Sequence, residues 1–278
     1  MSTNWLPAGP ALLFAPADRP ERFEKAAQRS DMVIIDLEDG CRPDNRDTAR
    51  AGLKEAALAA GLTAERTIVR INPASAEEFP KDIAALAHTP FRTVMVAKTE
   101  GKGDVDTLAH NLDAQVIALI ETPLGVLNAR EIAAADATVA LFWGAEDLTA
   151  GLGGTSSRDA SGAYRSVPVY ARSYVRLAAA AEGKAALDSV YVDIADTDGL
   201  AAEVDDAAAL GFAGTCCIHP SQVDIIRAGY RPSDADIEWA RGLLAEAENN
   251  RGAFSYQGRM VDEPLFRQAQ AIVTRAHI

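Results

Sequence analysis

Short runs of Val, Ile and Leu alternate along the chain with longer segments that carry apolar residues at helical spacing. Continuous apolar runs, rather than a strict alternation of apolar and polar residues, are typical of parallel strands that are covered on both faces. The pattern therefore predicts successive β–α units. The eight predicted strands cover residues 11–17, 32–37, 67–71, 93–97, 115–120, 139–143, 189–194 and 214–218.

Amphipathic helices are predicted between these strands. Residues 44–60 predict a helix that begins with an Asp cap, and residues 203–210 predict one that stops before Gly211. Eight β–α units that run in one direction close into a barrel more naturally than they form an open sheet. The chain length of 278 residues suits one such barrel, which typically takes about 250. We therefore predict an α/β fold with a (β/α)₈ TIM-barrel catalytic domain over residues 1–231.

The pattern changes after Pro232. Ser233 predicts the cap of a helix over residues 234–249, and a last helix is predicted over residues 265–278 after a loop. Because no strand is predicted in this segment, it is not a ninth barrel unit. We predict a C-terminal helical extension over residues 232–278, which packs under the barrel or reaches over an active site as a lid or swapped segment, including that of a neighbouring subunit.

Charge and cysteine content narrow the function classes. The formal net charge is −13, which argues against nucleic acid or an anionic membrane as the main partner, since both demand a basic surface. No apolar run approaches the ~20 residues that span a bilayer, and the N-terminus lacks a secretory pattern. Cys41, Cys216 and Cys217 form neither a disulfide framework nor a metal-binding spacing. We therefore expect a soluble cytoplasmic protein.

Ionisable residues gather at the carboxyl ends of the predicted strands, where barrel enzymes carry their catalytic groups. Such placement is costly unless the side chains bind something. Following strands two, three, four, five, six and eight, these residues are Asp36, Glu38, Asp39, Arg70, Lys98, Glu121, Glu146, Asp147 and His219.

Glu121 and Asp147 are the best candidate metal ligands. Carboxylate oxygens without a Cys or His partner suit Mg²⁺, which usually takes one or two carboxylates together with waters and substrate oxygens. The alternative is that each carboxylate caps the next helix or pairs with a Lys or Arg. Glu146 is the alternative to its neighbour Asp147.

Arg70 is the candidate for holding a carboxylate or thioester oxygen and for stabilising charge that develops during a reaction. A structural salt bridge to Glu38 or Asp39 is the alternative, and both can hold. Glu38 and Asp39 are assigned to binding the waters of the metal, to orienting Arg70, or to a purely structural role. Lys98 could form a Schiff base, but the carboxylate pair favours a metal mechanism. His219 orients a loop or transfers a proton.

Two further basic residues are candidates for contacting phosphate. Arg158 ends a loop rich in Gly and Ser that begins at residue 151, and such loops can approach a phosphate closely. A flexible connector is the alternative reading of that loop. Arg19 lies in the turn after strand one, where a helix N-terminus follows.

Six segments at these strand ends resemble one enzyme family. In order, they are ALLFAPADRPERFEKA, VIIDLEDG, RTIVRIN, IALIETPLG, WGAEDL and IHPSQV. Together they are similar to the citrate-lyase β-subunit-like proteins of the HpcH/HpaI-type aldolases, which include malyl-CoA and citramalyl-CoA lyases. The resemblance covers nearly the full chain, including GRMVDEP near the C-terminus.

The resemblance implies a trimeric barrel with Mg²⁺ held by Glu121 and Asp147, with Arg70 in contact with the substrate. It implies that CoA or an acyl-carrier group lies across the barrel mouth, where Arg19, Lys98 and Arg158 are the candidate contacts. Asp262 matches an aspartate that reaches the adjacent subunit's site as an acid/base in malyl-CoA lyases. The chain departs from many relatives at Ala97, where they have Pro, and at Thr215, where they have Lys. These departures bear on how the thioester carrier is held.

The expected reaction is Mg²⁺-dependent cleavage or formation of a 3-hydroxy-carboxyacyl thioester, with acetyl-CoA (or an acetyl carrier) and a 2-oxo acid as the products of cleavage. Citryl, malyl, citramalyl and methylated thioesters are all open as substrates. The alternatives are a CoA-thioester hydrolase, a decarboxylase or a malate-synthase-like enzyme on the same scaffold, and a non-catalytic metabolite-binding subunit of a larger complex.

Overall fold

The structure is a computed structural model that describes residues 5–248, 250 and 252–276. Eight parallel strands form a closed barrel in which each strand pairs with its neighbours along the chain and β1 pairs with β8. The predicted fold class is therefore confirmed. The barrel strands are β1 (Ala11–Pro16), β2 (Met32–Asp36), β3 (Thr67–Ile71), β4 (Thr93–Val96), β5 (Gln115–Ile120), β6 (Thr138–Trp143), β7 (Ala185–Asp188) and β8 (Gly214–Cys217).

The seventh strand lies earlier than the sequence predicts. The prediction of residues 189–194 was wrong, because β7 covers Ala185–Asp188 and the apolar run after it is irregular loop. In that loop Val190 packs against the barrel core, whereas Val192 and Ile194 are exposed. This apolar run therefore belongs to a half-buried loop, which has the same residue preferences as a strand.

The helices around the barrel follow the strands. They are α1 (Phe23–Arg29), α2 (Arg46–Ala59), α3 (Phe79–Ala87), α4 (Lys102–Asn111), α5 (Pro123–Leu127), α6 (Ala129–Ala133), α7 (Ala145–Gly151), α8 (Ser166–Ala181), α9 (Thr197–Ala209) and α10 (Val223–Tyr230). The predicted Asp cap of α2 was wrong: a 3₁₀ turn over Pro43–Asn45 comes first, and Asn45 caps without a side-chain hydrogen bond. Gly211 lies just beyond α9 with φ +81°, as its predicted role requires. Across the described residues, every helix is too short or too polar to span a bilayer.

The barrel interior is filled by apolar side chains from alternate strand positions, including Leu12, Ile34, Ile68, Ile117 and Phe142. Each is buried, and full burial of such a side chain contributes about 1.5–3 kcal/mol. Because this core occupies the space inside the strands, polar side chains concentrate where the strands end, which positions the candidate site there.

The chain divides into two units, Met1–Ile226 and Arg227–Ile278, so the division falls a few residues before the boundary expected after residue 231. The second unit contains α11 (Asp234–Ala247), β9 (Phe254–Tyr256), β10 (Arg259–Val261) and α12 (Glu263–Arg275). The Ser233 hydroxyl accepts a hydrogen bond from the Asp236 N–H, which confirms the predicted cap.

The prediction that this tail contains no strand was wrong, because β9 and β10 form an antiparallel hairpin. Gln257 and Gly258 connect them with φ of 48° and 77°. A two-residue hairpin loop of the type that matches strand twist requires such positive values at both positions. Val261 of β10 is buried against Ala240, Leu243 and Ala269 in the small core of this unit.

Candidate functional site

Asp36 organises the turn that follows β2. Its buried carboxylate accepts hydrogen bonds from the N–H groups of Glu38, at 3.0 Å, and Gly40, at 2.8 Å. A Cβ atom at Gly40 would lie only 2.2 Å from Asp36 Oδ2, so no side chain fits there without displacing the carboxylate. The turn that carries Glu38 and Asp39 is therefore built around Asp36.

Arg70 is held by the same carboxylate from the neighbouring strand. Its Nε and Nη2 donate to Asp36 Oδ1 and Oδ2 at 2.7 and 2.5 Å, a bidentate pair that fixes the guanidinium plane. Its Nη1 lies 3.3 Å from Glu38 Oε2, and its guanidinium stacks on the Phe14 ring at 4.8 Å. Burial opposes the charge of Arg70, but Asp36 and Glu38 outweigh it and raise its pKa. Arg70 is thus a fixed positive charge.

Lys98 lies among four carboxyl groups. Its ammonium is hydrogen-bonded to Glu38 and lies 3.1 Å from Asp39, 3.5 Å from Asp147 and 4.0 Å from Glu121. Partial burial opposes its charge, but the hydrogen bond and charge of Glu38 outweigh burial, so the pKa of Lys98 is raised. A Schiff base requires a neutral amine, so this environment argues against that alternative.

Glu121 and Asp147 follow the adjacent strands β5 and β6. Glu121 is buried, whereas the Asp147 side chain at the start of α7 is 41 % exposed. Burial and the charge of Asp147 raise the pKa of Glu121 to about 8, against the opposing charges of Arg70 and Lys98. A further cation beside Glu121 would therefore stabilise its ionised carboxylate.

Glu146, the alternative to Asp147, has a different partner. Its Oε1 accepts a hydrogen bond of 2.6 Å from the Ser157 hydroxyl in the loop after α7. Asp147 instead shares Lys98 with Glu121. This arrangement favours Asp147 as the second ligand beside Glu121.

A cavity of about 650 Å³ opens at these strand ends. One part of its lining is charged and another part is apolar. The charged lining residues include Asp36, Asp39, Arg70, Glu146, Asp147, Arg22 and Lys25, and the apolar ones include Phe14, Phe142, Val190 and Ile218. A cavity of this size suits a small organic ligand oriented by a few polar groups.

The carboxylate oxygens at this site suit Mg²⁺ better than a metal ion whose ligands all come from the protein. Within the described part of the chain, no group of three or more His, Cys, Asp and Glu side chains is arranged to hold a metal. Mg²⁺ needs only one or two carboxylates, because waters and substrate oxygens complete its coordination. Glu38 Oε2 is buried without a hydrogen bond, although it lies within ion-pair distance of Arg70. Such a free acceptor suits a water of a hydrated cation.

Two predicted phosphate contacts are absent from the cavity lining. Arg19 is 44 % exposed and lies 3.8 Å from Glu21. Arg158 donates to Glu203 at 2.7 Å and stacks on the rings of Tyr164 and Tyr191. That ion pair ties the loop after α7 to α9.

The basic residues that do line the cavity mouth were missed in the sequence. They are Arg22 and Lys25, at the start of α1. Their spacing of three residues places both on one face of a helix, which is the signal that would have identified them. His219 also lines the cavity, and its Nδ1 accepts a hydrogen bond from the Ser221 N–H at 3.2 Å. This bond is the loop-orienting contact that the sequence left open.

Asp262 belongs to the second unit. It immediately follows β10 and is the N-cap residue of α12. Its side chain is exposed and makes no capping hydrogen bond. The carboxylate is therefore available for other contacts.

Comparisons with known proteins agree with this geometry. Residues 11–220 match the HpcH/HpaI aldolase/citrate lyase family. The citrate lyase subunit beta-like protein of Mycobacterium tuberculosis is 50% identical over 273 residues, covering 98% of this chain and 97% of that protein. The L-malyl-CoA/beta-methylmalyl-CoA lyase of Rhodobacter capsulatus is 31% identical over 315 residues, covering 100% of this chain and 99% of that enzyme.

A solved structure is similar over the same extent. The crystal structure of CitE from Mycobacterium tuberculosis in complex with magnesium, acetoacetate and coenzyme A superposes with a TM-score of 0.89 at 50% identity, covering 98% of this chain and 99% of that chain. The family expected from the six sequence segments and the carbon–carbon lyase class are thereby confirmed. This chain belongs to the HpcH/HpaI aldolase/citrate lyase family.

Proposed function

We propose that this protein is a Mg²⁺-dependent lyase that cleaves, or forms, a 3-hydroxy-carboxyacyl CoA thioester, with acetyl-CoA and a 2-oxo acid as the cleavage products. The observation that carries the proposal is that Asp147 and the fixed cation Arg70 line one cavity, while the charges of both act on the buried carboxyl group of Glu121. Two carboxylates beside a guanidinium suit a substrate that carries both a carboxylate and a developing negative charge.

Glu121 and Asp147 are the proposed ligands of Mg²⁺, with Glu38 and Asp39 as acceptors for its waters. When bound by these residues, Mg²⁺ would supply Lewis-acid chemistry to the substrate's hydroxyl oxygen, which would lower the pKa of that hydroxyl. The chain positions the two ligands on adjacent strand ends, where Gly144 leaves space for the Glu121 side chain. Support comes from the similar CitE structure, which is a complex with magnesium, acetoacetate and coenzyme A.

Arg70 is proposed to stabilise the charge that forms when the carbon–carbon bond breaks. In cleavage, the hydroxyl gives up its proton to water in the cavity and becomes the ketone of the oxo acid. The electron pair of the broken bond passes to the acetyl thioester as an enolate. A pre-oriented donor at such an oxygen contributes about 3 kcal/mol. Because Asp36 already holds Arg70 in place, the guanidinium does not have to reorient when this charge forms.

Asp262 of a neighbouring copy is proposed to protonate the enolate carbon in cleavage and to remove that proton in the reverse direction. The support is the match of its segment to the malyl-CoA lyase pattern and the exposure of a carboxylate without a capping bond. The assignment requires a homo-oligomer, which we propose to be a trimer. A cytoplasmic location is proposed with it, supported by three free buried cysteines.

The CoA moiety is proposed to lie across the cavity mouth. Arg22 and Lys25 supply positive charge there, which suits phosphate groups despite the acidic charge of the whole chain. Arg19 remains a candidate from the same segment. The ion pair of Arg158 with Glu203 makes Arg158 a weaker candidate.

The first experiment measures acetyl-CoA release from citryl-CoA, malyl-CoA and citramalyl-CoA, with and without Mg²⁺. We expect Mg²⁺-dependent cleavage of one thioester, which identifies the oxo acid. Chelation with EDTA and the variants Glu121→Gln and Asp147→Asn should each abolish it. Glu146→Gln is the matched control and should retain Mg²⁺ dependence.

Two outcomes would contradict the proposal. Release of free CoA without an oxo acid would identify a thioester hydrolase. Cleavage that proceeds equally in EDTA would remove Mg²⁺ from the mechanism.

A further inference from the structure

We propose that Lys98 is a built-in counter-ion that competes with Mg²⁺ for the carboxyl groups and thereby keeps the metal affinity of the substrate-free protein low. The inference rests on the proposed metal site at Glu121 and Asp147. It adds a role for a residue that the sequence assigned to the thioester or to a Schiff base.

Lys98 has an unusual backbone conformation. Its φ is 49°, in the left-handed region that residues other than Gly seldom adopt. In this conformation its N–H donates to Glu121 Oε1 at 3.1 Å, while its ammonium reaches Glu38 and Asp39. One residue thus contacts both a proposed ligand and the two acceptors beside it, and a strained conformation retained at such a place indicates a functional constraint.

The carboxyl groups around Lys98 outnumber the basic side chains that pair with them. Throughout the described ranges, Asp36, Glu38, Asp39, Glu121 and Asp147 have Arg70 and Lys98 as their only ion-pair partners. Arg70 is committed to the first two of these acids. Among the described residues, Lys98 is therefore the only ion-pair partner of the remaining three, which include both proposed ligands.

The ammonium and the metal would share the same oxygens. Lys98 Nζ lies 3.5 Å from Asp147 Oδ1 and 4.0 Å from Glu121 Oε1. A divalent cation held by these two carboxylates would stand beside a like charge, which is unfavourable at such short range. Binding of Mg²⁺ then requires the ammonium to give up its ion pairs with Asp147 and Glu121 and to rely on Glu38 and Asp39 alone. The cost of losing these two ion pairs reduces the affinity for Mg²⁺.

A purely structural role for Lys98 makes the opposite prediction. If the lysine only held the carboxylates in place, its removal would disorder the ligands and weaken Mg²⁺ binding. If it competes with the ion, its removal strengthens binding. The direction of the change therefore separates the two roles.

The test is calorimetric titration of the full-length protein with MgCl₂ in the absence of substrate. We expect Lys98→Met to bind Mg²⁺ at least about tenfold more tightly than the wild type, while Lys98→Arg, which keeps the charge, stays within about threefold. The melting temperature of metal-free Lys98→Met should fall, and its rise on adding Mg²⁺ should exceed that of the wild type. Lys98→Gln retains a hydrogen-bonding group without the charge and should also bind more tightly.

Unchanged or weaker Mg²⁺ binding by both Lys98→Met and Lys98→Gln would overturn the inference. The metal site itself is tested separately in the same titration. If Glu121→Gln binds Mg²⁺ as the wild type does, the proposed ligands are wrong, whatever Lys98 does.

Discussion

Two arginine–aspartate pairs in the barrel share one geometry and have different surroundings. Arg70 holds Asp36 at the end of β2, and Arg172 of α8 holds Asp188 at the end of β7, in each case through Nε and Nη2. Both arginine side chains are 13 % exposed, and both aspartates are buried. Burial therefore does not distinguish the pair proposed to act in catalysis from the other.

The partners of each pair make the distinction. Asp188 also accepts a hydrogen bond from Trp143 Nε1 at 2.6 Å, and Arg172 also binds Asp206 at 2.5 Å, so this network is satisfied internally. Arg70 instead lines the cavity, and Glu38 Oε2 beside it has no hydrogen bond. A satisfied buried network stabilises the fold, whereas an incomplete one beside a cavity is ready to bind a ligand.

Conservative replacement of the two arginines should separate these roles most clearly. Arg70→Lys removes the bidentate geometry and should lower kcat about 100-fold or more, because the enolate loses a pre-oriented donor. Arg172→Lys should keep kcat within about threefold and lower the melting temperature instead. Steady-state kinetics and thermal unfolding of both variants provide the measurement. Equal losses of kcat would show that the comparison is mistaken.

Asp188→Asn should mainly affect stability. The change removes the charge from a carboxylate that binds Arg172 and Trp143, and hydrogen bonds to charged groups contribute about 1.5–3 kcal/mol each. We expect the free energy of unfolding, measured with urea, to fall by about 2–3 kcal/mol. Mg²⁺ affinity should stay within about twofold. A large loss of Mg²⁺ affinity would place Asp188 in the functional network.

Gly40→Ala should disturb Arg70 without removing any charge. The new Cβ would push the Asp36 carboxylate out of its bidentate pair, so we expect about a tenfold loss of kcat with little change in KM. Gly52→Ala in α2 is the matched control, because nothing lies within 4 Å of its Cβ position. That control should gain about 0.5–1 kcal/mol of stability. Full activity of Gly40→Ala would argue that Asp36 does not position Arg70.

Arg22→Gln should have the smallest effect and should act on binding alone. Loss of one phosphate contact at the cavity mouth is expected to raise KM for the CoA thioester about fivefold, with kcat unchanged, since a partly exposed charge contributes about 1 kcal/mol. Arg158→Gln should change KM less than twofold, because Arg158 is paired with Glu203. A larger increase in KM for Arg158→Gln than for Arg22→Gln would instead identify Arg158 as the contact to the CoA moiety.

The sequence was sufficient for the parts of the molecule that depend on local pattern. Seven of the eight barrel strands coincide with apolar runs, and Arg70, Glu121 and Asp147, which we propose for the site, lie at or just after the ends of three of them. The seventh strand was misplaced because a half-buried loop has the residue preferences of a strand. The hairpin over residues 254–261 was missed because its turn is Gln257–Gly258, whereas Asn-Gly or Asp-Gly is the usual sequence signal for such a turn.

Pairing between distant residues could not be predicted in the same way. Arg158 and Arg22 are both basic residues near strand ends, and only the position of Glu203, far along the chain, separates their roles. The contacts of Lys98 likewise depend on the closure of the barrel, which brings the ends of β2, β4, β5 and β6 together.

Gly144 bears on how this barrel can acquire new substrates. A Cβ atom there would lie 2.8 Å from Glu121 Oε2 and 2.9 Å from Glu121 Cβ. Any related protein that keeps this carboxylate therefore has no space for a side chain at position 144. Val190 and Ile218 line the apolar side of the same cavity, whereas the Phe14 ring lies against the Arg70 guanidinium. Directed evolution for a bulkier oxo acid should therefore begin its libraries at Val190 and Ile218.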